Sequence, residues 1–425
     1  MKRSFIAIMA FLFAAAMVAA QGTVTIKYAF WGNPDAIGVE KDIIDQFEKE
    51  NPSIKVEPIV SAYADYHTKL LTMIAGGSAP DVMRVDSYYF SDFMQVKALR
   101  DLGDLLMRDK VDLSSYYQQG VEDCTYKGKI YGLPWSTAPL YMAINLKVLE
   151  KAGLKAPRLD WTWDDFAAIC KAVTKGDGAD KVYGFAFDLT NISGILPFVW
   201  ANGGDLFNAD KTKFTLDQPV ATAAIQRLVD LYKKGYMPPE TVSATADINT
   251  RLFVNDKVAM RMASGMEVLS MQKVDGLRFE VYPMPRGVSR NATVYKSNVV
   301  GIASGSKNIA AAWTFLKFLR GPEGKGETLY MQAKRMPPTM DNPKYWALYV
   351  DASKYPKLIE TNTKAISKTY GRKLPLRAGW LEVEEAVRPS LQLIFTGDQS
   401  ASDAMKAIAG RVQAILDRTT DKGNQ

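Results

Sequence analysis

Cysteine and histidine are almost absent from this sequence. The 425 residues include two cysteines, Cys124 and Cys170, and one histidine, His67. Two distant thiols cannot supply the clustered ligands of a zinc site, so we expect no metal and no cofactor. An oxidising compartment would permit a bridge between the cysteines, but a chain of this length does not need one, and we expect free thiols. Without a partnering serine or cysteine motif, His67 is expected to be structural rather than catalytic.

Long runs of one charge and internal repeats are missing too. The 53 basic and 46 acidic residues give a net charge of +7 and are scattered along the chain. Binding to nucleic acid usually requires basic residues clustered on one surface, so we expect no nucleic-acid partner. Residues 304–307 lack the glycine spacing of a phosphate-binding loop, and residues 177–180 lack the ligand number of a calcium loop.

One long apolar stretch is present, and it lies at the N-terminus. Lys2 and Arg3 precede an uncharged apolar run over residues 5–18, and small residues follow up to Ala20. This order is typical of a secretory signal peptide, and the run is shorter than the roughly 20 residues of a membrane-spanning helix. We expect residues 1–20 to be removed by cleavage after Ala20. With no cysteine at that junction to carry a lipid, the mature protein is predicted to be exported, soluble and periplasmic.

Strand and helix patterns alternate after the signal peptide. Apolar and polar residues alternate over residues 24–30, and residues 54–60 and 81–85 also read as strands, with helical patterns between them. The first helix is expected to stop at Asn51 and the second at Gly76. This order predicts parallel strands joined by right-handed crossovers, and therefore an α/β protein. The remaining chain of about 400 residues is longer than one compact core usually accommodates, so we expect two domains.

Several segments, taken in order, resemble those of extracellular solute-binding proteins of the maltose and oligosaccharide type. They are residues 75–82 (AGGSAPDV), 128–135 (GKIYGLPW), 141–145 (YMAIN), 162–166 (TWDDF), 200–205 (WANGGD), 258–260 (VAM) and 307–319. The matching segments extend over nearly the whole mature chain. This resemblance implies the two-lobed periplasmic-binding-protein fold, in which each lobe is a mainly parallel sheet flanked by helices and the ligand binds in a cleft at the hinge.

The resemblance also implies a function and a division of the chain. It implies a monomeric, non-enzymatic component of an ABC importer that binds a sugar, such as an oligosaccharide, and delivers it to membrane permease subunits. Residues 21–136 and 286–335 would form the first lobe, and residues 137–285 and 336–425 the second. The chain would cross between the lobes near residues 134–137, 283–287 and 332–338, and bending there would close the cleft on the ligand.

Aromatic and acidic residues follow the three predicted strands, where ligands bind in open parallel sheets. A sugar site needs flat rings for the apolar faces and polar groups for the hydroxyls. The candidates in the first lobe are Trp31, Asn33, Asp35, Tyr63, Tyr66, Asp86, Ser87 and Tyr88. A role in packing rather than binding stays open for a single tyrosine such as Tyr66 or Tyr88.

Further candidates lie at the predicted hinge and in the second lobe. They are Trp135, Trp200, Asn202, Gly203, Asp205, Gly265, Met266, Arg335 and Arg377. Members of the resembling family often have a stacking aromatic after the glycine that corresponds to Gly265, whereas this chain has Met266. Paired glycines such as those at 203–204 either let the backbone approach a ligand or form a tight turn.

Two other functions would use similar residues. The same fold could bind a different solute, such as a glycerophosphodiester, a polyamine or a peptide. A secreted glycoside hydrolase would need two carboxyl groups roughly 5–9.5 Å apart. Asp86 and Asp205 could be assigned to such a pair, but no sequence pattern nominates them.

Overall fold

The computed structural model describes residues 22–188, 191–239, 246–334 and 336–419. The predicted signal peptide and the candidate Arg335 lie outside the described residues. Within these ranges, no helix combines the length and the hydropathy needed to cross a membrane.

Fourteen strands and seventeen α-helices alternate along these ranges. The strands are β1 (Val24–Trp31), β2 (Ile54–Ser61), β3 (Val82–Val85), β4 (Thr125–Tyr126), β5 (Lys129–Ile130), β6 (Leu133–Pro134), β7 (Ala138–Pro139), β8 (Tyr141–Asn145), β9 (Tyr183–Ala186), β10 (Val258–Ala263), β11 (Phe279–Tyr282), β12 (Thr293–Lys296), β13 (Val299–Ile302) and β14 (Gly371–Lys373). The helices are α1 (Pro34–Glu50), α2 (Tyr63–Ala75), α3 (Ser87–Gln95), α4 (Gly103–Arg108), α5 (Gln118–Asp123), α6 (Leu146–Lys151), α7 (Trp163–Val173), α8 (Ile192–Ala201), α9 (Pro219–Lys233), α10 (Ala246–Val254), α11 (Gly265–Met271), α12 (Ile309–Arg320), α13 (Lys325–Gln332), α14 (Pro343–Tyr349), α15 (Ile359–Ala365), α16 (Trp380–Thr396) and α17 (Ala401–Arg418).

The first sheet has the strand order β2–β1–β3–β13–β6. Strands β1, β2 and β3 run parallel, as the sequence predicts, with Val24 opposite Ile54 and Trp31 opposite Ser61. Strand β13 runs antiparallel to both β3 and β6. The carboxyl ends of the three parallel strands therefore lie at one edge of the sheet, and helices α1, α2 and α3 begin there.

The second sheet has the order β11–β8–β10–β9 and is less parallel than expected. Strands β9 and β10 pair in parallel, but β8 runs antiparallel to both β10 and β11. The reason lies in the path of the chain. Strand β8 carries the chain into this part of the molecule directly after β7, and β11 carries it back towards β12, so the two must run in opposite directions.

A third, small sheet lies where the chain passes between the other two. Its order is β14–β12–β7, with β12 parallel to β14 and antiparallel to β7. Thr137, just before β7, donates a 2.7 Å hydrogen bond to the carbonyl oxygen of Pro338. Three segments that are distant in sequence therefore meet between the two larger sheets.

Local capping explains where several helices begin. Asn33 caps α1 through a 2.9 Å bond from the backbone N–H of Ala36, and Pro34 occupies the first turn, where its missing N–H costs nothing. Thr162 and Asp165 form a capping box at the start of α7. Such caps stabilise a helix by about 1 kcal/mol each, so these starts are encoded locally.

The C-terminal helices cover both large sheets. Helices α16 and α17 pack against each other and against α9, and their apolar residues join the core of the second sheet. Helix α14 instead packs against α13, and its residues join the core that contains the first sheet. The chain from α14 to α17 therefore contacts both halves of the molecule.

Candidate functional site

A cavity of about 310 Å³ lies between the start of α3 and the second sheet, with the third sheet along one side. We call it the central cavity. Its lining combines aromatic and aliphatic side chains with charged and hydroxyl groups, and includes Tyr88, Leu140, Phe187, Asp188, Ser193, Arg261, Met262, Glu267, Val294 and Lys296. These residues come from six separate segments of the chain.

Tyr88 is held in place from several directions. Its backbone N–H donates to the carboxylate of Asp86, which caps α3 at 3.0 Å. Its ring stacks on that of Trp380, with centroids 6.2 Å apart and planes 18° from parallel, and its hydroxyl lies 3.2 Å from the hydroxyl of Ser193. Burial raises the pKa of the Tyr88 hydroxyl, so it stays protonated and can donate. Tyr88 thus links α3 to α8 and α16.

Lys296 places a cation beside this tyrosine. Its ammonium lies 4.1 Å from the centroid of the Tyr88 ring and 3.3 and 3.4 Å from the two carboxylate oxygens of Asp86. Burial works against the charged form, but the Asp86 carboxylate outweighs it and the pKa of Lys296 is raised. The lysine side chain keeps 23% of its surface exposed. It therefore remains charged and offers hydrogen-bond donors at the wall of the cavity.

A second ion pair forms another part of the wall. Buried Arg261 pairs with Glu267 and donates a 2.7 Å bond to the hydroxyl of Thr250. Glu267 also accepts bonds from the backbone N–H and the hydroxyl of Ser264, which completes a capping box at the start of α11. Both charges are oriented by other groups, and the partly exposed Glu267 offers a fixed acceptor at the cavity wall.

Trp31 and Trp135 lie close to each other, on either side of a buried cation. The guanidinium of Arg84 lies 4.0 Å from the ring centroid of each tryptophan, and Arg84 itself pairs with buried Glu40 at 3.2 Å. The two indoles remain partly exposed. Tyr66, in contrast, is buried, and its hydroxyl lies 2.9 and 2.8 Å from two backbone carbonyl oxygens, so its polar group is used inside the fold.

The other strand-end candidates of the first sheet have mixed surroundings. Tyr63 is 45% exposed, and Asn33 and Asp35 are exposed at the start of α1. His67 accepts the backbone N–H of Asp86 at 3.1 Å, and burial lowers its pKa to about 4. The imidazole is therefore neutral at physiological pH and supports the position of Asp86.

Trp200, Asn202, Gly203 and Asp205 form a separate cluster away from the central cavity. Trp200 is fully buried and donates a 2.8 Å bond to one carboxylate oxygen of Asp205, while Arg372 pairs with the other at 2.5 Å. Asn202 donates to a backbone carbonyl oxygen at 2.8 Å, and Gly203 has a φ of 95° that forms a tight turn. All four residues have local structural roles.

The remaining candidates lie beside the central cavity or in another one. Gly265 and Met266 begin α11, next to Ser264 and Glu267, and Met266 is 43% exposed. Ser87 and Arg377 line a different cavity of about 410 Å³.

Sequence reasoning missed most of the central cavity. Asp188 lies two residues after the end of β9, so recognition of that strand would have marked it as a strand-end residue. The Ser264–Glu267 spacing after an apolar strand is a capping signal that could have drawn attention to Glu267. No local signal marks Lys296, whose partner Asp86 is 210 residues away.

Cys124 and Cys170 are free and buried, as expected, and burial raises the pKa of both thiols. Among the residues that the structure describes, no group of three or more histidine, cysteine, aspartate or glutamate side chains could hold a metal ion.

Comparison with known proteins gives one consistent result. The family of bacterial extracellular solute-binding proteins matches residues 34–326, which is more than half of the chain. An arabinooligosaccharide-binding protein of Bacillus subtilis is 24% identical over 302 residues, 68% of this chain and 67% of that protein. An uncharacterized lipoprotein of Streptomyces antibioticus is 26% identical over 315 residues, 71% of this chain and 68% of that protein.

A solved structure agrees in fold over almost the whole chain. The ABC substrate-binding protein of Listeria monocytogenes in complex with cycloalternan has a TM-score of 0.81 and 25% sequence identity, and the alignment covers 93% of this chain and 99% of that one. The predicted fold class is confirmed by this likeness. The prediction of a binding protein rather than an enzyme is confirmed by the family match, because the chain belongs to the bacterial extracellular solute-binding proteins.

Proposed function

We propose that this protein binds a carbohydrate, such as an oligosaccharide, in the central cavity and delivers it to the permease subunits of an ABC importer. The observation that carries the proposal is the composition of that cavity. An immobilised aromatic ring, Tyr88, stands beside oriented donors and acceptors on Lys296, Arg261 and Glu267. Rings of this kind cover the apolar faces of a sugar, and charged groups bond its hydroxyls.

The similar proteins support the same ligand class. The names of two of them state binding of an arabinooligosaccharide and of cycloalternan, which are both carbohydrates. A cavity of about 310 Å³ is at the small end of the usual range for ligand sites, so it fits one or two sugar rings. A longer chain would extend towards Tyr63, Trp31 and Trp135, whose partly exposed rings stay in the proposal as flanking contacts.

Asp86, Met266 and Gly265 also stay in the proposal, because each adjoins a residue of the cavity wall. Tyr66, Trp200, Asn202, Gly203 and Asp205 do not, because their polar groups or backbones serve the packing described above. Asp86 is paired with Lys296 and Asp205 with Arg372. Each carboxylate is held by its own cation in a separate cluster, whereas a glycosidase needs two carboxyl groups facing each other across one site, and this favours binding over hydrolysis.

We further propose that ligand binding closes two lobes. The lobes would follow the predicted division, with residues 21–136 and 286–335 in the first and residues 137–285 and 336–425 in the second. This proposal is supported by the two large sheets, because each draws all its strands from one of these sets. Helix α14 would be the part of the second lobe that reaches the first. Tyr88 and Ser193 would then belong to opposite lobes. A ligand that touches both gains contacts only when the lobes are closed, and it shifts the balance towards that state.

The same proposal includes export of the protein and cleavage after Ala20. The mature protein would be monomeric, soluble and periplasmic, without a lipid anchor. The family name places its members outside the cytoplasm, and one similar protein is a lipoprotein. Intact-mass measurement of exported material is the test. A mature chain that begins at Gln21 supports the proposal, and a chain that carries a lipid or retains residues 5–18 contradicts it.

Ligand screening tests the central proposal. The purified protein is heated with a panel of mono- and oligosaccharides, glycerophosphodiesters, polyamines and short peptides, and positive compounds are measured by calorimetry. A ligand at a hundred times its Kd stabilises the native state by about 2.7 kcal/mol. We expect stabilisation by a sugar that chromatography then recovers intact. Stabilisation only by a non-sugar compound, or cleavage of the sugar, would contradict the proposal.

A further inference from the structure

A second cavity, of about 410 Å³, opens on the other side of the first turn of α3. Ser87 lines this cavity, whereas its neighbour Tyr88 lines the central cavity. The opposite wall comes from the turn that contains Lys211 and from the segment between β14 and α16. We call it the basic cavity because four cationic side chains line it, which are Lys127, Lys211, Lys373 and Arg377.

Among the described residues of the lining, two carboxylates oppose these four cations, and both are engaged. Buried Asp123 accepts the backbone N–H of Ser297 at 2.7 Å and pairs with Lys373 at 3.1 Å. Asp210 accepts a 2.7 Å bond from the hydroxyl of Thr212. Four positive and two negative charges leave the lining with a formal charge of +2. The field inside the basic cavity therefore favours an anion.

Lys211 shares the wall of the basic cavity with Lys373 and Arg377. Its ammonium donates a 3.0 Å bond to the carbonyl oxygen of Leu376, which uses one of its three donors. Burial, together with repulsion from Lys373 and Arg377, lowers the pKa of Lys211. A bound anion would relieve that repulsion and accept the remaining donors.

An unsatisfied hydroxyl lies in the same wall. Ser87 is 3% exposed, and among the described residues its Oγ has no hydrogen-bond partner. Buried polar groups are bonded in most native structures, so an unpartnered one needs an explanation, such as a bound water or ion. Ser87 would supply one hydrogen-bond donor to an anion in the basic cavity.

We propose that the basic cavity binds an anionic group, a carboxylate or a phosphate, at Ser87 and Lys211, with Arg377 held in the cavity wall by bonds from its guanidinium to the carbonyl oxygens of Lys211 and Leu416. The anion would come either from an acidic sugar captured by the protein or from a free ion. The first source rests on the proposed carbohydrate function, and the second does not. The site would make the protein selective for charged solutes, or would let an anion stabilise the contact between α3 and the segment around Arg377.

Calorimetry at low ionic strength tests the site with three probes, which are inorganic phosphate, galacturonate and galactose. We expect saturable binding of phosphate if the source is a free ion, or of galacturonate with at least tenfold preference over galactose if the source is an acidic sugar. Lys211→Gln and Lys127→Gln are expected to weaken binding of the anion about tenfold and threefold, respectively. Lys213→Gln is the control, because it removes an equal charge from an exposed position on the same turn as Lys211.

The outcomes separate this proposal from the carbohydrate proposal. Binding of neutral oligosaccharides without any binding of phosphate or preference for galacturonate would overturn the anion site alone. An anion effect that is equal in the Lys211→Gln and Lys213→Gln variants would overturn it too, because only general charge would then matter. Should Lys211→Gln lower the thermal midpoint, the exposed Lys127→Gln variant gives the decisive comparison.

Discussion

Two clusters in this molecule contain the same types of side chain but have different roles. In one, Asp86 pairs with Lys296, whose ammonium lies over the ring of Tyr88. In the other, Asp205 pairs with Arg372, whose guanidinium lies 4.8 Å from the ring of Trp200. Each has an acid, a cation and an aromatic ring.

The difference between the clusters is where their polar groups point. Tyr88 and Lys296 line the central cavity, so their ring and ammonium can meet a solute. Trp200 is fully buried, and its indole N–H donates to Asp205, so that cluster holds α8 to β14. An acid beside an aromatic ring therefore indicates a binding site only if the fold leaves the ring and the cation at a cavity wall.

The largest expected effect is on the buried cluster. Trp200→Ala should lower the free energy of unfolding by about 3–5 kcal/mol, because it leaves a large void and removes the partner of Asp205. Chemical denaturation measures the loss. The affinity of the folded variant for its ligand should stay within threefold of the parent value. A tenfold loss of affinity in a variant that is fully folded would mean that Trp200 belongs to the binding site.

Acid is expected to weaken the Asp86 cluster through His67. The pKa of buried His67 is lowered to about 4 from an ordinary value of about 6.5, so the unfolded chain binds more protons between these values. Stability from this group is complete above pH 6.5 and is lost as the pH falls to 4, by up to about 3 kcal/mol. Denaturation between pH 4 and 7 measures it. His67→Gln should remove this part of the pH dependence, and an unchanged profile would contradict the assignment.

Removal of the ring at the central cavity should weaken ligand binding. Tyr88→Ala is expected to weaken binding of the identified sugar by about tenfold to a hundredfold, since a stacked ring and a hydroxyl are lost. Calorimetry measures the affinity. Tyr183→Ala, a partly buried tyrosine outside the cavity lining, serves as the matched control and should keep the parent affinity. Equal affinities for both variants would refute the proposed site.

The smallest effect compares the two acids directly. Asp86→Asn should weaken sugar binding by about tenfold, because Lys296 loses the carboxylate that orients it. Asp205→Asn should leave affinity unchanged and lower stability by about 1–3 kcal/mol, since Arg372 loses its partner. Calorimetry and denaturation on both variants provide the comparison. The same affinity loss in both would show that the clusters are not functionally distinct.

Much of the fold and part of the site could be predicted from the sequence. The strands near residues 24, 54 and 82, the helices between them and the cap at Thr162 are all encoded by neighbouring residues. The strand-end rule also identified Asp86 and Tyr88 beside the central cavity. It could not separate them from Tyr66, because a tyrosine that bonds the backbone and one that faces a cavity leave the same local pattern.

The sequence by itself determined the order of strands and helices, the family and the class of side chain available for binding. Only the tertiary structure decided which of those side chains reach a cavity. Lys296 meets Asp86 across 210 residues, and Arg84 lies between Trp31 and Trp135, because the strand order of the first and third sheets places them there. Periodicity and capping depend on residues within a few positions of each other, whereas the direction of a side chain at a site depends on partners that the whole fold must assemble.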